Sequence, residues 1–190
     1  NTAMSLDALK TSHPIDVKVN HPSEIREIFD SISYDKGGCI LRMLEHFVGE
    51  KNFQSGLNKY LIKHQYSNAQ GSDLWNAIGI VSRQPIEKMM KTWINQVGFP
   101  LLEVKRKDAT LSLAQSRFLL EDNRHSKSGL WSIPLVIEEG NQRFRKLMTK
   151  KSEKVKLKNK SRNFIINSGR TGFYRVQYDD ETLDNLSLLI

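Results

Sequence analysis

The sequence has few features of a secreted, membrane-spanning or disulfide-stabilised protein. Cys39 is the single cysteine among 190 residues, so no disulfide can form within the chain, which fits a reducing compartment. No apolar run approaches the roughly 18 residues needed to cross a bilayer. Residues 1–5 lack the basic and then apolar pattern of a signal peptide. We therefore expect a cytoplasmic protein with no membrane partner.

Acidic residues do not balance the basic ones in the second half of the chain. Residues 1–97 carry 11 Lys+Arg and 10 Asp+Glu, whereas residues 98–190 carry 18 and 11. The imbalance is strongest in residues 143–162, where ten basic residues accompany only one acid, Glu153. This asymmetry indicates two units with different surfaces.

The first half has the periodicity of α-helices. Pro22 suits the first position of one helix, and Ser33 can cap the next. Later helices are expected to start near Ser72 and Pro85, and the last of them to end before Gly98. Apolar residues recur at helical spacing, for example at Ile40, Leu41, Leu44, Phe47 and Val48.

After Pro100 the pattern changes to an alternation of apolar and polar residues. Such alternation is typical of half-buried strands, and turn-forming residues separate the segments. Seven or eight short strands in about 80 residues indicate a small antiparallel sandwich. The candidate strands are residues 102–105, 111–114, 117–120, 133–138, 143–149, 154–157, 163–166 and 173–176.

Both ends of the sequence have the pattern of interrupted helices. Residues 2–9 look like the tail of a helix, and residues 181–189 begin an amphipathic helix that stops in mid-pattern. The sequence therefore predicts a piece of a longer protein.

An ordered set of segments covers most of the chain and resembles the M1 family of zinc aminopeptidases, which includes the tricorn-interacting factors and relatives of aminopeptidase N. The longest segment joins Phe29-Asp30-Ser31-Ile32-Ser33-Tyr34-Asp35-Lys36-Gly37-Gly38 to Leu41-Arg42-Met43-Leu44. The others are Ser12-His13-Pro14-Ile15, Pro22-Ser23-Glu24-Ile25, Gly49-Glu50, Tyr60-Leu61, Asp73-Leu74-Trp75, Met90-Lys91-Thr92-Trp93, Gln96-Val97-Gly98-Phe99-Pro100, Gln115-Ser116-Arg117-Phe118, Trp131-Ser132-Ile133-Pro134, Asn167 and Gly172-Phe173-Tyr174-Arg175-Val176-Gln177-Tyr178.

The resemblance implies an α+β multidomain fragment. Residues 1–97 would be the helical C-terminal half of a thermolysin-like catalytic domain, and residues 98–178 the antiparallel β-sandwich that follows it. Residues 179–190 would start a C-terminal helical domain. The implied activity is removal of N-terminal residues from peptides.

The resemblance also implies a zinc cofactor whose ligands are not in this chain. Members of the family hold zinc with an H-E-x-x-H motif and a distal glutamate, and the glutamate of the motif is the general base. This sequence has no such motif, and Glu45-His46 stands in the wrong order. We expect the motif in an upstream part of the same polypeptide, and therefore expect this chain alone to be inactive.

Tyr34 matches the catalytic tyrosine of the family. A phenol stays protonated at neutral pH and can donate a hydrogen bond to an oxygen that becomes negative in a tetrahedral intermediate. The alternative is a buried core tyrosine whose hydroxyl is satisfied locally. Gly37 and Gly38 follow, and their lack of side chains would allow a neighbour to approach the backbone closely.

Several other residues are of types that can have chemical roles, but their sequence context favours structural roles. Cys39 is expected to be a small buried thiol, since no histidine is placed near it by local spacing. His13 is expected to have a structural role in the turn before Pro14, with a position in the cleft as the alternative. Met89, Met90 and Trp93 are expected in the core rather than on a binding surface.

The basic residues 143–162 leave two alternatives to the enzyme. One is a non-catalytic interaction module that docks through the basic sandwich surface, and the other is nucleic-acid binding. We expect no nucleic-acid partner, because Lys154, Lys156 and Lys158 alternate with apolar residues as on the wet face of a strand. The expected partners are peptide substrates.

Overall fold

A computed structural model describes residues 2–26, 28–120, 129–158 and 163–187, and the architecture is α+β as predicted. Helices precede strands along the chain. The α-helices in this part of the chain are α1 (Thr2–Asp7), α2 (Gly37–Val48), α3 (Glu50–Lys63), α4 (Gly71–Ser82), α5 (Ile86–Ile94) and α6 (Asp180–Ser187). Short 3-10 helices span Pro22–Arg26 and Ser168–Arg170, and a π-helical turn spans Ile32–Lys36.

The strands form two sheets. They are β1 (Pro100–Lys107), β2 (Thr110–Arg117), β3 (Ile133–Glu139), β4 (Gln142–Met148), β5 (Ser152–Lys156), β6 (Phe164–Ile166) and β7 (Arg175–Tyr178). One sheet has the order β5-β2-β1-β7 and the other has the order β4-β3-β6. All pairs are antiparallel except β1 with β7, whose register places Leu101 opposite Arg175.

Side chains from the helices and from both sheets share one hydrophobic core. Trp93 on α5 is fully buried, and its ring centroid lies 6.5 Å from that of Trp131 in the strand half. The indole N–H of Trp93 donates a 2.9 Å hydrogen bond to the carbonyl of Ser132. Met90 is also buried, so the expectation that Met90 and Trp93 belong to the core is confirmed. The helical face that carries them is therefore fixed against the strands.

The structure corrects the predicted strands in two respects. Residues 117–120 do not form a strand of their own, because β2 ends at Arg117 and the next residue donates its N–H to the carbonyl of Phe99. The sheet that contains β1 is mixed rather than antiparallel, because β7 pairs with β1 in the parallel direction. The alternation of side chains reveals a strand but not the direction of its neighbour.

Two predicted helix caps are also wrong. Ser33 lies inside the π-helical turn, and the side chain of Asp30 accepts the first N–H groups instead. Ser72 lies inside α4, whose capping box is formed by Gln70 and Asp73. Both helices therefore begin two or more residues earlier than the hydroxyl side chains indicate.

Candidate functional site

Tyr34 lies on the π-helical turn that leads directly into α2, and its side chain is 60% exposed. The alternative of a buried core tyrosine is therefore wrong. The ring of Phe29, also exposed, lies beside it with a centroid separation of 5.5 Å. Within the described residues, no hydrogen bond is formed by the Tyr34 hydroxyl. The phenol is consequently available to an acceptor that approaches from outside this turn.

The backbone of the turn has π-helical hydrogen bonding. The N–H of Lys36 donates to the carbonyl of Ser31 at 3.0 Å, five residues back, and the N–H of Tyr34 donates to Asp30 at 3.1 Å. Single π-helical turns are rare and occur often at functional positions. Tyr34 therefore stands at a local departure from the regular helix that follows it.

The start of the turn is held by Asp30 and His13. Oδ1 of Asp30 accepts the N–H groups of Ile32 and Ser33 at 2.9 and 3.0 Å. Oδ2 of Asp30 lies 2.8 Å from Nε2 of His13, whose Nδ1 lies 2.8 Å from the carbonyl of Pro14. This chain of contacts gives His13 a structural part, as expected, since it holds the residue that caps the Tyr34 turn. We call it the Asp30 anchor.

The surroundings of the Asp30 anchor shift the pKa values of both His13 and Asp30. Partial burial disfavours the charged imidazole of His13, but the Pro14 carbonyl and the Asp30 carboxylate outweigh it, so the pKa of His13 is raised. Partial burial likewise disfavours the Asp30 carboxylate, but the N–H of Ser33 and the His13 side chain outweigh it, so the pKa of Asp30 is lowered. The ionised pair is therefore the favoured state between the two pKa values.

The end of the turn is held by a buried ion pair. Nζ of Lys36 lies 2.9 Å from Oδ2 of Asp7, and both side chains are 0% exposed. Nζ also donates to the carbonyl of Gly98 at 3.2 Å, and Oδ1 of Asp7 accepts the N–H of Gly98 at 2.9 Å. The hydroxyl of Ser12 donates to the same Oδ1 at 2.9 Å. We call this cluster the Lys36 anchor.

Gly98 fits the Lys36 anchor because it lacks a side chain. Its φ is +86°, and a Cβ there would lie 2.5 Å from Nε of Arg117. Burial lowers the pKa of Lys36; the Asp7 carboxylate opposes this shift and the Arg117 guanidinium adds to it. Since Gly98 stands two residues before β1, the cluster joins the Tyr34 turn to α1 and to the first strand.

Two expectations about residues near Tyr34 are wrong. Among the described residues, no atom outside the local helix backbone lies within 4 Å of a Cβ built on Gly37 or Gly38, so neither glycine accommodates a close neighbour there. Cys39 is exposed rather than buried, because the inward face of α2 is formed by Ile40, Met43, Leu44 and Val48. Close packing against the glycines and burial of the thiol therefore do not hold the turn.

The zinc that the family resemblance implies has no ligand set among the described residues. No group of three or more His, Cys, Asp or Glu side chains in this part of the chain is placed to hold a metal ion. The carboxylate of Asp30 is already occupied by His13 and two N–H groups. The residues present do not fit the metal.

The basic side chains in residues 143–158 lie on β4, on β5 and on the residues that directly follow these strands. Lys154, Lys156 and Lys158 are exposed while Val155 and Leu157 are buried, as expected for a solvated strand face. Residues 159–162 of this stretch lie outside the described part. In the part that the structure describes, none of the helices has both the length and the apolar character needed to cross a membrane.

Sequence reasoning identified Tyr34 and His13 but missed the side chains that hold the turn. Asp30 and Lys36 both lie in the segment that carries the family resemblance, whereas Asp7 lies in α1. An aspartate directly before a helix start is a known capping signal and could have identified Asp30. Lys36 carried no such signal, since a lysine in a helix is ordinarily exposed.

Comparison with known proteins agrees with the resemblance. Residues 1–93 match the family model of the Peptidase family M1 domain. Over 95% of its length the chain is 41% identical to aminopeptidase M1-C of Oryza sativa, and over 97% it is 40% identical to tricorn protease-interacting factor F2 of Thermoplasma acidophilum. A leucyl aminopeptidase of Saccharolobus solfataricus is 42% identical over 93% of the chain.

The matched part is 22% of each of these three relatives, so the chain spans about a fifth of their length. The similarity nevertheless covers 93–97% of the chain, and the family model spans the Tyr34 turn and the Asp30 anchor. The chain therefore belongs to peptidase family M1.

Proposed function

We propose that these 190 residues are part of a zinc-dependent aminopeptidase, in which Tyr34 donates a hydrogen bond to the oxyanion of the reaction. The relatives named above that are called aminopeptidases support the activity. The observation that carries the role of Tyr34 is its exposed phenol on a turn that is anchored at both ends. An exposed hydroxyl that is held in place meets the requirement for a preorganised donor.

The chemistry assigned to Tyr34 follows from where charge develops. When a nucleophile adds to the scissile carbonyl, the oxygen gains negative charge, and a donor aimed at that position stabilises the transition state more than the substrate. The phenol supplies such a donor without first losing a proton. Zinc would polarise the carbonyl and the attacking water, with its ligands in an upstream part of the polypeptide.

The finer architecture belongs to the same proposal. Residues 1–97 would form the helical part of a thermolysin-like catalytic domain, and residues 98–178 a β-sandwich built from the two sheets. The order of helices followed by strands supports this division. Residues 179–190 would begin a further helical domain. A cytoplasmic location rests on the single cysteine.

The proposal is tested by Tyr34→Phe in the complete polypeptide that carries these residues, assayed with an aminoacyl-arylamide. Loss of one oxyanion donor lowers kcat by about 100- to 1,000-fold. Tyr66→Phe is the matched control, because Tyr66 is fully exposed in the loop between α3 and α4. We expect the control to keep the original kcat. Equal rates for the two variants would contradict the role of Tyr34.

The isolated chain of 190 residues gives a second test. We expect it to bind no stoichiometric zinc and to show no hydrolysis of the arylamide. Stoichiometric zinc together with turnover that is lost in Tyr34→Phe would show that the chain holds a complete site of its own.

A non-catalytic interaction module remains the second candidate. It is favoured by the exposed basic side chains on β4 and β5, where Arg143, Arg145 and Lys154 all face solvent. An active complete polypeptide that depends on Tyr34 would exclude this candidate.

A further inference from the structure

The Lys36 anchor places two opposite charges in the interior of the protein, away from water. Lys36 and Asp7 are fully buried, and aromatic Phe173 lies beside them with its ring centroid 6.0 Å from Nζ. A buried ion pair contributes little net stability compared with well-packed apolar residues of similar volume. Stability alone therefore does not explain why this position holds a lysine and an aspartate.

The ion pair fixes the relative positions of three segments of the chain. Nζ of Lys36 and Oδ1 of Asp7 engage the carbonyl and the N–H of the same residue, Gly98. These hydrogen bonds fix a lysine on the Tyr34 turn, an aspartate on α1 and the backbone two residues before β1 at defined distances. Apolar side chains at these positions would pack but would not set such distances.

The turn transmits this fixed position to Tyr34. Tyr34 and Lys36 are two residues apart, so their side chains leave opposite faces of the helix. The structure shows this directly, since Lys36 is fully buried and Tyr34 is exposed. If the turn tilts so that Lys36 loses its hydrogen bond to Gly98, the Tyr34 phenol on the opposite face of the turn therefore moves as well.

We propose that Lys36 and Asp7 are positioning residues that set the direction of the Tyr34 phenol by tying its turn to Gly98. This inference rests on the proposed function for its effect on turnover, but not for its effect on the geometry of Tyr34. The Asp30 anchor fixes the start of the turn, and the Lys36 anchor fixes its end.

The decisive variant is the double substitution Asp7→Leu with Lys36→Met in the complete polypeptide. It removes both charges together, so no unpaired charge is left buried and the fold is expected to persist. The hydrogen bonds to Gly98 are lost. A small misplacement of a catalytic group costs up to about 100-fold in rate, so we expect kcat to fall on the order of 10- to 100-fold while KM stays within about twofold.

A readout that does not depend on activity accompanies the kinetics. A 3-fluorotyrosine placed at position 34 alone should give one narrow fluorine resonance in the original protein and a shifted or broadened one in the double variant. Lys91→Met is the matched control, because Lys91 pairs with Glu87 on the exposed face of α5 at 2.7 Å. We expect the control to change neither the resonance nor kcat.

The outcomes separate this inference from the proposed function. An altered resonance with lowered kcat supports both. An altered resonance in a protein whose Tyr34→Phe variant keeps full kcat supports the positioning and overturns the proposed function. A double variant that folds with the original resonance and kcat overturns the positioning.

If the double variant does not fold, Asp7→Asn combined with Lys36→Gln decides the same question. Both charges are again removed together, and the two amides keep hydrogen-bonding groups in the buried space. Asparagine can still accept the N–H of Gly98, but glutamine is one bond shorter than lysine and loses the contact to the Gly98 carbonyl. We expect a shifted resonance and a smaller loss of kcat. The original resonance in this second double variant would overturn the inference.

Discussion

The two anchors of the Tyr34 turn differ mainly in their exposure to water. The Lys36 anchor is sealed, with both charged side chains 0% exposed, whereas His13 and Asp30 in the other anchor are 30% and 35% exposed. The distances between charges are nearly equal, at 2.9 and 2.8 Å. The comparison teaches that burial, rather than distance, decides how much unfolding free energy is lost when one partner of a pair is removed.

The largest effect is expected for Lys36→Met as a single substitution. Removal of one partner leaves the Asp7 carboxylate buried without its cation, which typically destabilises a protein by about 3–5 kcal/mol. Chemical denaturation measures the loss of unfolding free energy. Adding Asp7→Leu should restore most of the lost unfolding free energy. A loss of less than about 1 kcal/mol in Lys36→Met alone would contradict the claim that burial makes this anchor more sensitive than the other.

A smaller effect is expected for Asp30→Ala at the exposed anchor. The substitution removes the acceptor of two N–H groups at the start of the turn, and loss of such a cap costs about 0.5–2 kcal/mol. Asp73→Ala is the matched control, because Asp73 accepts the N–H of Gln70 at 2.9 Å at the start of α4. Both should lose similar stability, but only Asp30→Ala should shift the fluorine resonance of a label at Tyr34.

The protonation of His13 sharpens the comparison further. Its pKa is raised above the ordinary 6.5, so its contribution to stability is complete below about pH 6.5 and is lost as pH rises through the raised value. Asp30 has a lowered pKa, so its contribution is complete above its ordinary 3.8 and is lost as pH falls. The anchor is therefore strongest between these limits.

Proton NMR of the imidazole tests this assignment. In Asp30→Asn the pKa of His13 should fall, because the variant lacks the carboxylate that stabilises the imidazolium. An unchanged pKa of His13 would show that the pair seen in the structure does not persist in solution.

The smallest effect is expected for Lys91→Met, which breaks an exposed ion pair on the surface of α5. Lys91 and Glu87 are 62% and 48% exposed, and pairs of this kind contribute about 0.3–0.5 kcal/mol. Thermal denaturation should show little change. A loss as large as that of Lys36→Met would contradict the dependence on burial.

The order of helices and strands was predictable because the spacing of apolar side chains along the chain is a local property. The alternation in residues 102–105 and 111–114 lies within β1 and β2, and the helical spacing of Ile40 and Leu44 lies within α2. The parallel pairing of β1 with β7 was not predictable in this way. It joins Leu101 to Arg175 and depends on the path of the chain between them.

The candidate site was predictable to the same extent. Tyr34 was found through the motif around it, and its exposure excludes the core alternative. The burial of Lys36 was not predictable, because it is set by Gly98, 62 residues further along the chain, and by Asp7. The exposure of Cys39 was missed because the apolar positions around it do not show which way an intervening small residue points.

The central claim is that the Tyr34 phenol acts on the oxyanion of the reaction, and inhibitor binding tests it most directly. A peptide analogue with a tetrahedral phosphinic group in place of the scissile amide mimics the transition state, whereas a product peptide does not. In the complete polypeptide, Tyr34→Phe should weaken the tetrahedral analogue by about 100-fold or more and leave the product affinity within about twofold. Equal affinities of the original protein and Tyr34→Phe for the tetrahedral analogue would contradict the claim.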